Sequence, residues 1–290
     1  MQNSQITLLK KWVMVSIIGH VVGIAIFLYI CFMPFLYSTS VIQHIIILYA
    51  LIVLRYILFA GSAYLLFYVW KREKFLRIKI QSKFPDRINI SREVFFSLCS
   101  MAVFAGAGGL IFYLRNHGYT RIYLNIHAHS IGYLFLSSAI FIMAHDTYFY
   151  WTHRFMHWRV IYKYVHRIHH LSTNPTPWAA FAFHPLESVI EVGILPIMVF
   201  LIPLHPLAIF IWVLYMTALN VMGHLGFEIF PSGFTRHSIT RWHNTSVHHN
   251  MHHHYVRCNY GLYFNIWDRL IGTNHERYDD EFEKVKTQSH

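Results

Sequence analysis

The 290-residue chain is 55% hydrophobic and 18% aromatic, and only 13% of it is charged, against about 25% in an ordinary water-soluble domain. That balance excludes a simple soluble globule, and the scattered Cys31, Cys99 and Cys258 exclude a disulfide framework. The 24 Lys and Arg against 13 Asp and Glu give +11, but the basic residues flank apolar runs, so their expected partner is an anionic membrane leaflet and not nucleic acid.

Residues 12–36 follow Lys10 and Lys11 and are long enough to span a bilayer, which takes about 20 residues. The run exceeds a signal-peptide core and no small-residue cleavage site follows, so it reads as a retained first span. His20 within it reads as a packed histidine. Residues 41–70 form a second run, in which Arg55 either faces a partner helix or snorkels. Residues 71–87 carry seven Lys and Arg against two acids and read as a cytoplasmic loop by the positive-inside rule. Residues 94–114 form an uncharged third span, whose Gly106, Gly108 and Gly109 allow close helix packing. The loop 115–130 then lies on the far side, so its His117, His127 and His129 receive no metal role.

Residues 131–151 read as a fourth span that returns to the cytoplasmic side. Residues 188–222 are apolar but broken by Pro196, Pro203 and Pro206. They read as a helical hairpin that dips into the membrane, with two short spans as the alternative. The expected fold is all-α: an integral-membrane helical bundle of about four spans plus the dipping hairpin, under a cytoplasmic histidine-rich helical cap. Residues 1–93 form an N-terminal hairpin with its basic loop. Residues 94–290 form a second region, with its motifs between 131 and 273.

Histidine is the anomaly, with 23 in the chain and sixteen between His145 and His254. His153 and His157 are four apart, and positions three and four apart share one face of a helix. His166, His169 and His170 follow with H-x-x-H-H spacing, and His249, His252 and His253 repeat it. Adjacent imidazoles differ by about 100° around a helix, so each H-H pair is suited to feed two ions. His224 is a candidate ligand at the end of the hairpin, and His248 is a further one.

Around these, His145, Asp146, His184, Asn220 and Glu228 are candidates to orient the ligands, Asp146 by accepting an imidazole N–H. Asp146 as an interfacial cap and His184 as an ordinary helix start are the competing readings. Glu228 could itself ligate. His237, His243 and His254 are left unassigned. His205, His275 and His290 read as non-functional. Imidazole suits zinc, copper, nickel and iron. Neutral ligands leave an iron pair strongly electrophilic, which suits O₂ chemistry; zinc is the ion that purified protein could carry instead. Tyr148, Tyr150, Trp151 and Trp178 read first as interfacial anchors and second as lining of a lipid path.

The segments DTYFYWTHRFMH, HRIHH, FHPLE, NVMGHLGFE, HHNMHH and NYGLYFNIWDRLIGT resemble the fatty acid hydroxylase / sterol desaturase superfamily of membrane di-iron enzymes, in that family's order, over about 131–273. The resemblance implies an O₂-dependent lipid hydroxylase or desaturase acting on an unactivated C–H bond. It implies two irons held by His153, His157, His166, His169, His170, His224, His249, His252 and His253, with His248 as a tenth. Asn259, Tyr260, Gly261, Trp267 and Asp268 then read as scaffold.

It also implies a separate electron donor (a b-type cytochrome, ferredoxin or reductase), since no H-P-G-G motif of a fused cytochrome is present. The basic segment 71–87 could dock an acidic donor. The site would face the cytoplasm, from a bacterial inner membrane or an endoplasmic reticulum membrane. The competing function is a histidine-rich metal transporter or sensor, which should carry ionisable residues along its spans. A haem carrier needs only one or two axial ligands.

Overall fold

The computed structural model describes residues 40–287. The expected span at 12–36, with His20, and the terminal His290 lie outside the described residues. Among the described residues all regular structure is helical. Extended pairing is confined to isolated bridges at Lys79–Phe227, Ile122–Leu204 and His243–Phe264.

Two long helices form an antiparallel-connected pair: α1, Val41–Trp70, and α2, Arg87–Asn116. Ser40 and Asp86 cap them, accepting from the backbone N–H of Gln43 and Asn89. Gly108 and Gly109 of α2 face Leu48 and Ile45 of α1 so closely that a Cβ at either would collide. These two glycines therefore set the contact, while Gly106 meets nothing within 4 Å. The second half of α1 is wound with wider, π-type turns at Ile57–Gly61 and Leu65–Trp70.

The third long helix, α3, is Ile131–Met156, started by Ser130. Two short helices follow, α4 (Arg159–Val165) and α5 (Arg167–His170). The broken apolar stretch folds as α6 (Pro185–Val192), α7 (Ile194–Leu201) and α8 (Pro206–Gly223). His184 and His205 start α6 and α8, each accepting a backbone N–H two residues on, with proline at the first helical position. The C-terminal part carries α9 (Ser246–Tyr255), α10 (Ile266–Ile271) and α11 (Tyr278–Thr287).

Among the described residues three helices are long and apolar enough to cross a membrane: α1, α2 and α8. With them the chain is a helical membrane protein. The expected hairpin pieces are thus unequal, because α8 runs 18 residues without interruption. Helix α3 is not among the three; its C-terminal half carries His145, Asp146, His153 and Arg154, which lower its hydropathy.

The two larger apolar cores among the described residues pack the long helices together. One joins α1 and α2 to the 177–181 turn and α8, through Tyr56, Met101, Ala105 and Phe181. The other joins α3 to α7 and α8, through Phe141, Met198, Val199 and Trp212. The basic segment after α1 ends beneath the histidine helices. Ile80 N–H donates to the Gly226 carbonyl, Glu228 N–H to that of Ile78, and Gln81 Nε2 to Asn250 Oδ1 at 3.1 Å.

Candidate metal centre

Among the described residues nine imidazoles converge into two adjacent groups. His153, His157, His166, His170 and His252 form one, and His169, His224, His249 and His253 the other; within a group the nearest nitrogens lie within 4.8 Å of one another. In the first, Nε2 of His166 is 3.0 Å from that of His153 and 3.1 Å from that of His170, which is 3.1 Å from that of His252. In the second, His224 Nε2 is 3.0 Å from His249 Nε2 and 3.3 Å from His169 Nε2. An ion about 2.1 Å from each nitrogen spaces its neighbouring ligands about 3.0 Å apart in octahedral and about 3.4 Å in tetrahedral geometry. The observed separations are those of such polyhedra.

The other ring nitrogens explain why Nε2 is the free one. The Nδ1–H of His153 donates to the Tyr260 carbonyl at 2.8 Å, that of His252 to Cys258 at 2.6 Å and that of His224 to Asn220 at 2.8 Å. His166 Nδ1–H donates to Glu187 Oε1 at 2.6 Å. Each acceptor fixes the proton on Nδ1, so the Nε2 lone pairs point inward at one another. Facing lone pairs repel, and a cation between them turns repulsion into ligation. The donor set therefore fits metal ions.

Local geometry sorts the histidines. His153 and His157 close the last turn of α3, and the H-x-x-H-H runs lie on α5 and α9. His170 and His252 join the first group, while their neighbours His169 and His253 join the second. The two adjacent pairs are thereby divided between the groups, as the rotation of about 100° per residue allows.

His248 joins neither group. It lies one helical turn, about 5.4 Å, before His252, fully buried with Nε2 3.7 Å from Asp268 Oδ2 and its ring against Tyr278. His237, His243 and His254 also stay outside both groups.

Among the expected orienting residues, Asn220 acts on His224 through its backbone carbonyl while its amide donates to Ala180. Asp146 touches no imidazole: Oδ1 accepts the backbone N–H of Tyr263 at 2.8 Å and of Phe264 at 3.2 Å. It is a loop anchor, because that loop offers it two unpaired donors. Glu228 likewise accepts the N–H of Phe230 and Val247, both at 3.0 Å, and so fixes the start of α9. His184 is a helix start. His145 donates to or accepts from Tyr263 Oη at 2.7 Å and packs edge-on to Trp212, apart from both groups.

Glu187 was not foreseen, although the acid of FHPLE in the first turn of a helix was its signal. The Tyr260 and Cys258 carbonyls have no letter of their own. The NYG and WD residues hold them: Asp268 accepts the N–H of Tyr260 at 2.8 Å and of Gly261 at 2.7 Å. A Cβ at Gly261 would press on the Phe264 carbonyl and the Asp268 carboxylate, so glycine is required there.

Burial dominates the electrostatics. It pushes His170 and His248 down to about 3 and His224 to about 4, and lowers His166, His169, His249, His252 and His253 well below the usual imidazole range. Neutral imidazoles are the ligand form.

Beside the groups lies a mostly apolar cavity of about 240 Å³ between α1, α2, α3, α6, α7 and α8. Phe149, against His153 at 4.9 Å, and Phe183, against His169 at 5.2 Å, are part of its lining. Tyr148, Tyr150, Trp151 and Trp178 are not in its lining.

Residues 138–273 match the family model described as fatty acid hydroxylase. The Delta(7)-sterol 5(6)-desaturase ERG3B of Gibberella zeae is 35% identical over 158 residues, 54% of this chain and 47% of that protein. The lathosterol oxidase of Mus musculus is 32% identical over 187 residues, 63% of this chain and 60% of that protein. The Delta(7)-sterol 5(6)-desaturase of Eremothecium gossypii is 31% identical over 181 residues, 60% of this chain and 49% of that protein. The matched segment thus spans about half to three fifths of the length of these relatives. No solved structure matches.

Proposed function

We propose that the chain, whose residues 138–273 match the fatty acid hydroxylase family model and resemble sterol desaturases, is a membrane-bound, di-iron, O₂-dependent lipid hydroxylase or desaturase of the sterol desaturase type. The observation that carries the reading is the pairing of two converging Nε2 groups with an apolar cavity beside them, whose Phe149 and Phe183 pack against His153 and His169. The five histidines of the first group and the four of the second would each hold one iron. Bound there, the irons supply reduction of O₂ and oxidation of a C–H bond.

The protein's own residues do the rest. Glu187 and the carbonyls of Asn220, Cys258 and Tyr260 hold the ring protons on Nδ1 and keep the ligating nitrogens aimed. Phe149, Phe183 and Trp212 keep the inner cavity dry and present an apolar chain or ring to the site. Hydroxylation consumes O₂, two electrons and two protons and yields an alcohol and one water. Desaturation consumes the same and yields a double bond and two waters.

The electrons come from a separate donor protein, docked on the basic segment 71–87, which lies against α9. Positive-inside topology puts that segment and the histidines on the cytoplasmic side. The 131–151 part of α3 serves as a further crossing, and residues 1–93 and 94–290 form the two regions of the chain.

The test is turnover in lipid nanodiscs with iron, reductant and O₂, read by lipid mass spectrometry. A lipid gaining one oxygen or losing two hydrogens, absent with His169→Ala, supports the reading. Iron-loaded protein that modifies no lipid refutes it.

A further inference from the structure

Arg55 stands fifteenth in the thirty-residue helix α1, about 21 Å from its start at 1.5 Å per residue. That is the middle of a span, where a guanidinium is costly unless something compensates it. No carboxylate among the described residues lies within 4.0 Å of it, Glu191 of the same cavity included, and its buried Nε has no hydrogen-bond partner. The guanidinium carbon sits 6.0 Å from the Phe181 ring, and Arg55 lines the apolar cavity. An aromatic wall leads from it to the metal centre. Phe181 and Phe183 are 6.4 Å apart, and Phe183 is 5.2 Å from His169.

A mostly apolar pocket with a few fixed polar groups orients its ligand through those groups. Resting on the oxygenase reading, we propose that Arg55 is the anchor for the polar end of the lipid substrate, and that this substrate carries an oxygen acceptor, such as a hydroxyl, and is not a pure hydrocarbon. The guanidinium donates to that oxygen. The apolar body then lies along Phe181 and Phe183, and the fixed separation of anchor and metals selects which carbon reaches the irons. Arg55 is a positioning residue and takes no part in the chemistry.

The experiment measures retention of matched probe pairs by the full-length protein in detergent, by native mass spectrometry: octadecanol against octadecane, and lathosterol against the sterane lacking its hydroxyl. Wild type retains the oxygenated member of at least one pair at least tenfold better. Arg55→Met loses that preference while its hydrocarbon retention and its iron content stay unchanged. Arg55→Lys, which keeps a cationic donor, keeps part of the preference and covers the case in which Arg55→Met does not fold.

No preference in wild type for either pair, or a preference that survives Arg55→Met, overturns the proposal. Iron content and turnover are read separately. Protein that binds the alcohols through Arg55 but takes up no iron would defeat the oxygenase reading and leave the anchor standing.

Discussion

The Nδ1–H of His166 donates to Oε1 of Glu187 at 2.6 Å, with both side chains almost fully buried. Burial pushes the imidazole down and the carboxyl up, so the pair depends on the positive charge of an ion at Nε2 to hold Glu187 as the carboxylate. This carboxylate–histidine–metal arrangement tunes both orientation and basicity. Glu187→Ala should lower iron affinity by roughly 10–100-fold, with Glu187→Gln lying between it and wild type. Chelator competition on the iron-loaded protein measures it. Equal affinity in all three proteins would remove Glu187 from the site.

The two groups should empty independently. His249→Ala removes a ligand from the four-histidine group and leaves the five-histidine group complete. It should bring iron content from about two per chain toward one. His252→Ala should act on the other group. Loss of all metal in both variants would point instead to one shared centre.

The Cys258–Gly261 loop supports two ligands at once, and Gly261 is its tightest point. Gly261→Ala should cost about 1–3 kcal/mol by overpacking, read as a lower Tm. Iron occupancy should fall with it, because the Cys258 and Tyr260 carbonyls turn away from His252 and His153. A variant with unchanged Tm and full iron would contradict the clamp.

Much of this centre was legible in the sequence, and the part that was not has a physical cause. Spacing alone brings His153 to His157 and divides His169 from His170, because helix geometry is fixed. His248 has the same letter and shares a helical turn with the converging His249, yet its ring points away from both groups, against Asp268 and Tyr278. Asp146 and Glu228 were expected near imidazoles but bind backbone N–H groups, a demand that depends on where loops fall in space. Glu187 and the carbonyl acceptors depend on tertiary contact between α6, the 258–261 loop and the histidine helices. Helices α1 and α2 were readable from hydropathy, whereas the prolines of 188–222 masked α8 as a helix long enough to cross, and α3 trades apolar residues for the site it carries.

Metal-free protein should be acid-labile. Folded His170 and His248 are held at about 3 and His224 at about 4, against about 6.5 in the unfolded chain. At these histidines the unfolded state therefore binds more protons below pH 6.5, and their contribution to stability falls as the pH drops toward 4 and on to 3. The raised carboxyls of Glu187, Glu228 and Asp268 act in the opposite direction, but the lowered histidines outnumber them, so the Tm of apoprotein should decline below about pH 6.5. Loaded protein should resist until protons displace the metal. A Tm of apoprotein that is constant from pH 7 to 4 would contradict this.

Metal analysis with Mössbauer spectroscopy, on protein purified under iron-replete conditions, tests the central claim most directly. The two histidine groups predict about two irons per chain as a coupled pair, reduced to about one in His249→Ala, with O₂ consumed when a reductant is supplied. Tightly bound zinc that iron cannot replace on reconstitution, with no O₂ consumption, would contradict the account.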